Sequence, residues 1–237
     1  MSDLTSQIAD RRAAVLDRIA DAARRGGREP EGVTLVAVTK THPIETVRAA
    51  IAAGCRDLGE NRAQELVAKS DVLPGEALGG DVRWHAIGSL QRNKARDVAA
   101  RADLFHGLDS PRLARALSTK AVEAGRVLDV LIQVNISGEA SKSGVALGEV
   151  DELIGLADDL PGLNVVGLMG MAAPAASPEE AERIVRPAFR RLRERFDAAP
   201  RPLRELSMGM SGDYEIAVEE GATIVRIGSA LFGSRGG

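Results

Sequence analysis

Cysteine is nearly missing from this sequence: Cys55 is the only one in 237 residues. A single thiol excludes an internal disulfide framework and any zinc site built from several cysteines. Histidine is scarce too, at three residues, which argues against a His-rich metal centre. Neither sign of charge dominates, since 31 Lys and Arg face 34 acids for a formal net charge of −3. Whole-chain electrostatics therefore give no reason to expect nucleic acid or an anionic membrane as the main partner. Long hydrophobic runs are absent as well; none approaches the roughly 20 residues that span a bilayer. The first 25 residues alternate charge and Ala and lack the continuous apolar core of a secretory signal. The expectation is a soluble, cytoplasmic chain with neither nucleic acid nor membrane as partner.

What is present is ordinary in bulk, 44% hydrophobic and 27% charged, and periodic in detail. At about 150 residues per domain, the length allows one large domain or two small ones. Near the start, Ile8, Val15, Leu16 and Ile19 recur at close to helical spacing among Arg and Asp, and Gly26-Gly27 ends the pattern. Short apolar runs that read as buried strands follow at 33–38, 56–60, 83–88, 104–108, 127–135, 164–170, 204–209 and 223–228. Helix-like stretches separate them. Ser110-Pro111 and Ser177-Pro178 read as helix starts, with Ser able to cap and Pro in the first helical position. Gly54, Gly125 and Gly221 each close a helix directly before a strand. Strands alternating with helices imply parallel pairing through right-handed crossovers. Eight such units in about 210 residues fit the small end of the (β/α)₈ barrel range, with a doubly wound open sheet as the alternative. No linker or low-complexity stretch divides the chain. The expectation is one α/β domain over 1–237, a (β/α)₈ TIM barrel at about 33–233 behind an extra N-terminal helix at about 5–25.

In such a barrel the working residues lie at the carboxyl ends of the strands. Strand one delivers Thr39 and Lys40 there, and strand two delivers Glu60, Asn61 and Arg62. A lysine closing the run LVAVTK sits where burial and neighbouring charge can lower its pKa, as Schiff-base chemistry requires. The same lysine could also simply snorkel to solvent. After strands seven and eight, Ser207 to Ser211 and Gly228-Ser229 supply hydroxyls and close backbone approach, where barrels often bind phosphate. Gly and Ser also make ordinary turns. Arg226 alternates with Val225 and Ile227, so it faces either the barrel mouth or the helix layer. His85, inside an apolar strand, reads on its own as a hydrogen-bonded core histidine, and His42 and His106 say less. Cys55 and Trp84 read as core, and the basic segments LQRNKARDVAARA and FRRLRERF as solvated helix faces.

Six ordered segments then carry a resemblance: VAVTKTHP, GENRAQEL, WHAIGSLQRNK, QVNISGEASKSG, GLMGMA and SMGMSGDYEIAVEEGATIVRIGSALFG. From about residue 33 to residue 233 the chain closely resembles the pyridoxal phosphate homeostasis proteins, which are related to the barrel domain of alanine racemase. Thr39 stands where many members have Ser, and the hydroxyl is kept. The resemblance implies an alanine racemase N-terminal domain-like barrel that binds pyridoxal 5′-phosphate (PLP) as an internal aldimine on Lys40. It further implies Ser211, Gly228 and Ser229 as the phosphate cradle, Arg226 against the pyridine nitrogen, and Asn61 and His85 lining the same mouth. Members are regarded as carriers or regulators of vitamin B6 and amino-acid pools without an established enzymatic activity. The expected partners are PLP and PLP-dependent apoenzymes as recipients, with the protein a monomer.

The residues point the same way. An Arg beside the pyridine nitrogen disfavours its protonation and weakens the ring as an electron sink. The only tyrosine, Tyr214, follows the phosphate loop, and no additional domain is expected to supply a second base. A PLP enzyme such as a weak amino-acid racemase is the alternative, and a class I aldolase-like barrel using Lys40 without PLP is a third reading.

Overall fold

The computed structural model describes residues 3–73, 82–137 and 143–233. The apolar runs pair in sequence order, all in parallel, as β1 (Thr34–Val38), β2 (Asp57–Glu60), β3 (Arg83–Ala86), β4 (Leu104–Leu108), β5 (Leu128–Val134), β6 (Leu163–Gly170), β7 (Glu205–Ser207) and β8 (Ile224–Ile227). Pairing of β8 with β1, from Thr34↔Ile224 to Ala37↔Ile227, closes the barrel and excludes the open sheet.

The first helix, α1 (Asp3–Arg25), buries Ile8, Val15, Ile19, Ala22 and Ala23. The barrel helices follow as α2 (Ile44–Ala52), α3 (Ala63–Ser70), α4 (Ala95–Arg101), α5 (Pro111–Glu123) and α6 (Val150–Asp158). After these come α7 (Pro178–Glu180), α8 (Arg186–Asp197), α9 (Tyr214–Glu219) and α10 (Ser229–Phe232). Both expected Ser-Pro starts form: Ser110 accepts from the Leu113 amide at 3.4 Å and Ser177 from the Glu180 amide at 3.2 Å. Gly54, Gly125 and Gly221 take the positive φ that lets the chain leave a helix and enter a strand. Among the described residues no helix is long and apolar enough to cross a membrane.

Three local features depart from the sequence pattern. The helical stretch after Ser177 is interrupted by a π-helical segment, Ala181–Val185, just before Pro187. Proline has no N–H to continue the ladder, and its ring pushes the preceding turn open. Strand seven stops at Ser207 because Gly209 turns the chain at φ +94°. A one-turn helix, α10, follows β8 where no helical pattern could be read.

Burial divides into two shells. The larger lies between strands and helices and includes Leu58, Phe105, Phe189 and Val225. The smaller, Val36, Leu104, Leu131, Val166, Met169 and Ile224, is a separate cluster drawn from barrel strands. Alternation along each strand sends one set outward and the other into the lumen.

Candidate functional site

β1 runs out at Val38, leaving Thr39 buried and Lys40 exposed. The turn that follows is tight: His42 N donates to Thr39 O at 3.1 Å, and Thr41 has φ +65°, the only positive φ outside glycine among the described residues. For a β-branched residue that conformation costs on the order of 1–3 kcal/mol, so surrounding structure must impose it. The Thr41 amide donates to Glu65 Oε2 at 2.6 Å, and Thr39 Oγ1 donates to Glu60 Oε1 at 2.5 Å. Lys69 on α3 donates its Nζ to Thr39 O and to Glu60 Oε1, both at 2.8 Å, and to Glu65 Oε2 at 3.2 Å. Glu60 is 1% exposed and Lys69 7%. Burial pushes the Glu60 carboxyl up from its ordinary range, against the opposing pull of Lys69 and Thr39. Two lysines thus meet one turn with different chemistry. Lys69 is buried with three acceptors, whereas Lys40 stands on the rim with no side-chain partner among the described residues.

Register places the strand-eight residues beside this turn. Ala37 pairs with Ile227, so Lys40 and Gly228-Ser229 leave neighbouring strands at the same end of the barrel. The His42 ring packs 4.9 Å from that of Phe232, tying the turn to α10. Ser211 Oγ accepts from the amides of Gly228 and Ala230, each at 3.3 Å, which joins the loop after strand seven to the loop after strand eight. Ser229 is exposed. Gly209 is required where it stands, because a Cβ there would come within 2.6 Å of Ala217 Cβ.

Arg226 faces the lumen. Its Nη1 donates to Ser207 Oγ at 2.5 Å and its Nη2 to the Gly170 carbonyl at 3.3 Å, which puts the guanidinium level with the ends of β6 and β7. It is 4% exposed, and no carboxylate lies within ion-pair distance of it among the described residues. Burial lowers its pKa to about 10, which still leaves it protonated at neutral pH. Asn61 is exposed on the same rim, packed so closely on Gly88 that a Cβ there would meet Asn61 Oδ1 at 2.4 Å.

His85 lies elsewhere. It is fully buried, with Nε2 on Asp57 Oδ1 at 2.9 Å and Nδ1 on His106 Nε2 at 3.0 Å. Its ring points into the lumen, and both nitrogens are occupied below the mouth. The structure therefore brings Lys40, Asn61, Ser211, Arg226, Gly228 and Ser229 to one end of the barrel and keeps His85 beneath them. A cavity of about 1180 Å³ opens beside them, over the ends of β5–β7 toward α1 and α9, and takes in Ser211 but not Lys40 or Arg226.

Lys69, Asp57 and His106 carry no motif that would have marked them as parts of a site, and the strand-end residues Glu60 and Ser207 gave no sign of the partners they take. The one available signal was phase: His85 and His106 both sit inside apolar strands, where a buried polar ring needs a partner. Among the described residues no group of three or more His, Cys, Asp or Glu is placed to hold a metal ion.

A closed parallel barrel with a lysine at the end of its first strand and Ser- and Gly-bearing loops after its last two defines a class. The family model described as alanine racemase, N-terminal domain, matches residues 12–236. A curated pyridoxal phosphate homeostasis protein of Pseudomonas aeruginosa is 45% identical over 230 residues, covering 97% of this chain and 96% of the relative. Its counterpart in Aquifex aeolicus is 42% identical over 230 residues, with 95% and 97% covered. The structure of PipY from Synechococcus elongatus, solved with PLP bound, superposes with a TM-score of 0.78 at 36% identity, covering 95% of this chain and 100% of that one. The chain belongs to the pyridoxal phosphate homeostasis protein family.

Proposed function

We propose that this protein binds PLP at the barrel mouth, attached covalently through Lys40, and acts in PLP homeostasis by holding and releasing the cofactor rather than by catalysis. The observation that carries the reading is Arg226, a buried guanidinium with no carboxylate partner among the described residues. Leaving a cation so nearly desolvated is costly unless an acceptor completes it. A pyridine nitrogen is such an acceptor, and the residues around it suit the rest of the molecule. Lys40 offers an unencumbered amine for the aldehyde, and the Gly228 and Ala230 amides, which donate to Ser211 Oγ at 3.3 Å, can turn to a phosphate beside the Ser211 hydroxyl. The names of the relatives and the PLP bound to PipY support the same ligand.

When bound, PLP supplies an aldehyde that condenses with amines and a ring that can act as an electron sink. The residues of this chain favour the first property over the second. Arg226 can only donate to the ring nitrogen, and it holds its own proton at neutral pH, so the nitrogen stays unprotonated. Tyr214, the sole tyrosine, is 2% exposed under the Arg18 guanidinium, and burial raises its pKa. It is no ready base for moving a proton at an α-carbon. This chemistry suits the role we assign, holding a reactive aldehyde for PLP-dependent apoenzymes in the cytoplasm.

The test is borohydride reduction of the PLP-loaded protein followed by peptide mapping. The expected adduct is on Lys40; an adduct on Lys69 or Lys94 overturns the assignment. Deuterium exchange at the α-carbon of common amino acids tests the rest. Turnover on the order of 1 s⁻¹ or above, the lower edge of ordinary enzyme rates, would replace holding by catalysis.

A further inference from the structure

Five buried or half-buried polar side chains form a continuous line through the barrel. Arg226 Nη1 lies 2.5 Å from Ser207 Oγ, and Ser207 Oγ lies 3.0 Å from His106 Nδ1. His106 Nε2 lies 3.0 Å from His85 Nδ1, and His85 Nε2 lies 2.9 Å from Asp57 Oδ1. β4 and β7 are not neighbours in the barrel, so the His106–Ser207 bond crosses the lumen. The line begins at Arg226 near the mouth and ends at Asp57, the first residue of β2, whose side chain is 18% exposed. Arg83 Nη1 stands 3.4 Å from the same Asp57 oxygen, and Asp213 is the acid that acts on Arg226 from the mouth side.

The chemistry of the two ends sets the order of the protons between them. A carboxylate only accepts, so His85 must donate from Nε2. A neutral His85 then accepts at Nδ1, which requires His106 to donate from Nε2. His106 in turn accepts at Nδ1 from the Ser207 hydroxyl, which leaves the Ser207 lone pairs for Arg226. Every donor meets an acceptor with both imidazoles neutral. Burial and the cations around it, Arg226 and Arg83 among them, hold His106 in the neutral form.

We propose that Asp57, His85, His106 and Ser207 are positioning residues for Arg226, linked in a one-directional hydrogen-bond relay that holds the guanidinium level with the mouth. The relay assigns His85 its work: it serves the site through His106 and Ser207 rather than by touching a ligand. Its bearing on cofactor binding rests on the reading of Arg226 given above.

Nitrogen-15 NMR of the unliganded protein tests the relay without any cofactor, and with only three histidines each ring is resolvable. His106 is expected as a neutral Nε2–H tautomer between pH 8 and pH 6, and His85 is expected to carry its proton on Nε2 with Nδ1 accepting at pH 7 and above, the order that the line of donors and acceptors requires. An Nδ1–H tautomer or an imidazolium at either ring at pH 7 overturns the proposal. In Asp57→Ala, Arg83 is left beside His85 Nε2 and favours its lone pair, so the order reverses and His106 becomes Nδ1–H, although residue 57 does not touch it. In His85→Gln the amide can accept from His106 and donate to Asp57, and His106 is expected to keep its Nε2–H tautomer. An unchanged His106 in Asp57→Ala, or a switched one in His85→Gln, counts against the relay. PLP titration adds the functional arm: Asp57→Ala is expected to weaken binding about fivefold, the equivalent of one weakened hydrogen bond, and His85→Gln to keep most of the wild-type affinity. Wild-type protein that takes up no PLP would sink the cofactor reading while the NMR result still decides the relay. Equal affinity of wild type and Asp57→Ala would show that the relay does not position Arg226.

Discussion

Burial decides which lysine does what. Lys40 and Lys69 flank the same turn, but Lys69 satisfies Glu60, Glu65 and the Thr39 carbonyl, while Lys40 is left on the rim. Removing Lys69 would strand the Glu60 carboxylate in a site that already pushes its pKa up. Lys69→Met is therefore expected to cost about 3–5 kcal/mol of stability near pH 8, the usual penalty for breaking a buried pair. The sign of the pH dependence follows from linkage. A carboxyl whose folded-state pKa is raised favours folding when protonated, and that stability is lost as pH rises through the folded value. The variant should thus be less impaired at pH 5 than at pH 8. Urea denaturation at the two pH values checks this, and an equal loss at both would show that Glu60 is not the stranded charge.

At the scale of elements, caps and packed faces contribute differently. Ser110 closes the N-terminus of α5 through one hydrogen bond to Leu113, so Ser110→Ala should cost about 1 kcal/mol. Ile19, 2% exposed on α1, packs on the barrel's outer layer, and Ile19→Ala should cost about 2–5 kcal/mol through lost burial and the cavity left behind. Urea midpoints of the two variants should fall in that order. A loss for Ile19→Ala no larger than for Ser110→Ala would mean that α1 is only loosely attached. Arg18 and Arg25 on α1 pair with Glu215 and Glu219 of α9, but exposed pairs of this kind are worth at most about 1 kcal/mol and do not carry the attachment.

At the scale of the whole molecule, the lumen is only partly apolar. Six hydrophobic residues form its cluster, and the line from Asp57 to Arg226 occupies other inward positions. That makes stability depend on pH through His106, whose pKa is held well below the ordinary histidine value by burial and nearby cations. Below about pH 6.5 the unfolded chain binds a proton that the folded chain refuses. Stability is then complete above that pH and falls by about 1.4 kcal/mol per pH unit beneath it. His106→Gln should flatten this part of the profile between pH 6.5 and pH 5. A slope unchanged by the substitution would assign the pH dependence to other groups.

Much of the fold was legible because period and punctuation are local. Apolar runs such as VTLVAV and VLDVLIQVN supply strands whose inner stretches, Val36–Val38 and Val130–Val134, are buried on both faces, and Ser-Pro starts and glycine ends act within a single turn. The rim was legible for a related reason: a parallel barrel sends every strand end to the same side, so Lys40, Ser211 and Gly228 had to meet once the count of strands was known. The partners of buried polar groups were not. His85 lies inside an apolar strand, and nothing in its neighbourhood along the chain names Asp57 or His106 as its contacts. Lys69 and Glu60 look like an ordinary helix lysine and a strand-end acid until α3 packs against the end of β2. Sequence by itself determined the eight strands, the main helices between them, their order and the end of the barrel where chemistry could sit, because those follow from hydrophobic period and chain direction. Tertiary structure alone decided which polar groups are shut in together, because hydrogen bonds across a lumen depend on the closure and register of strands far apart in the chain.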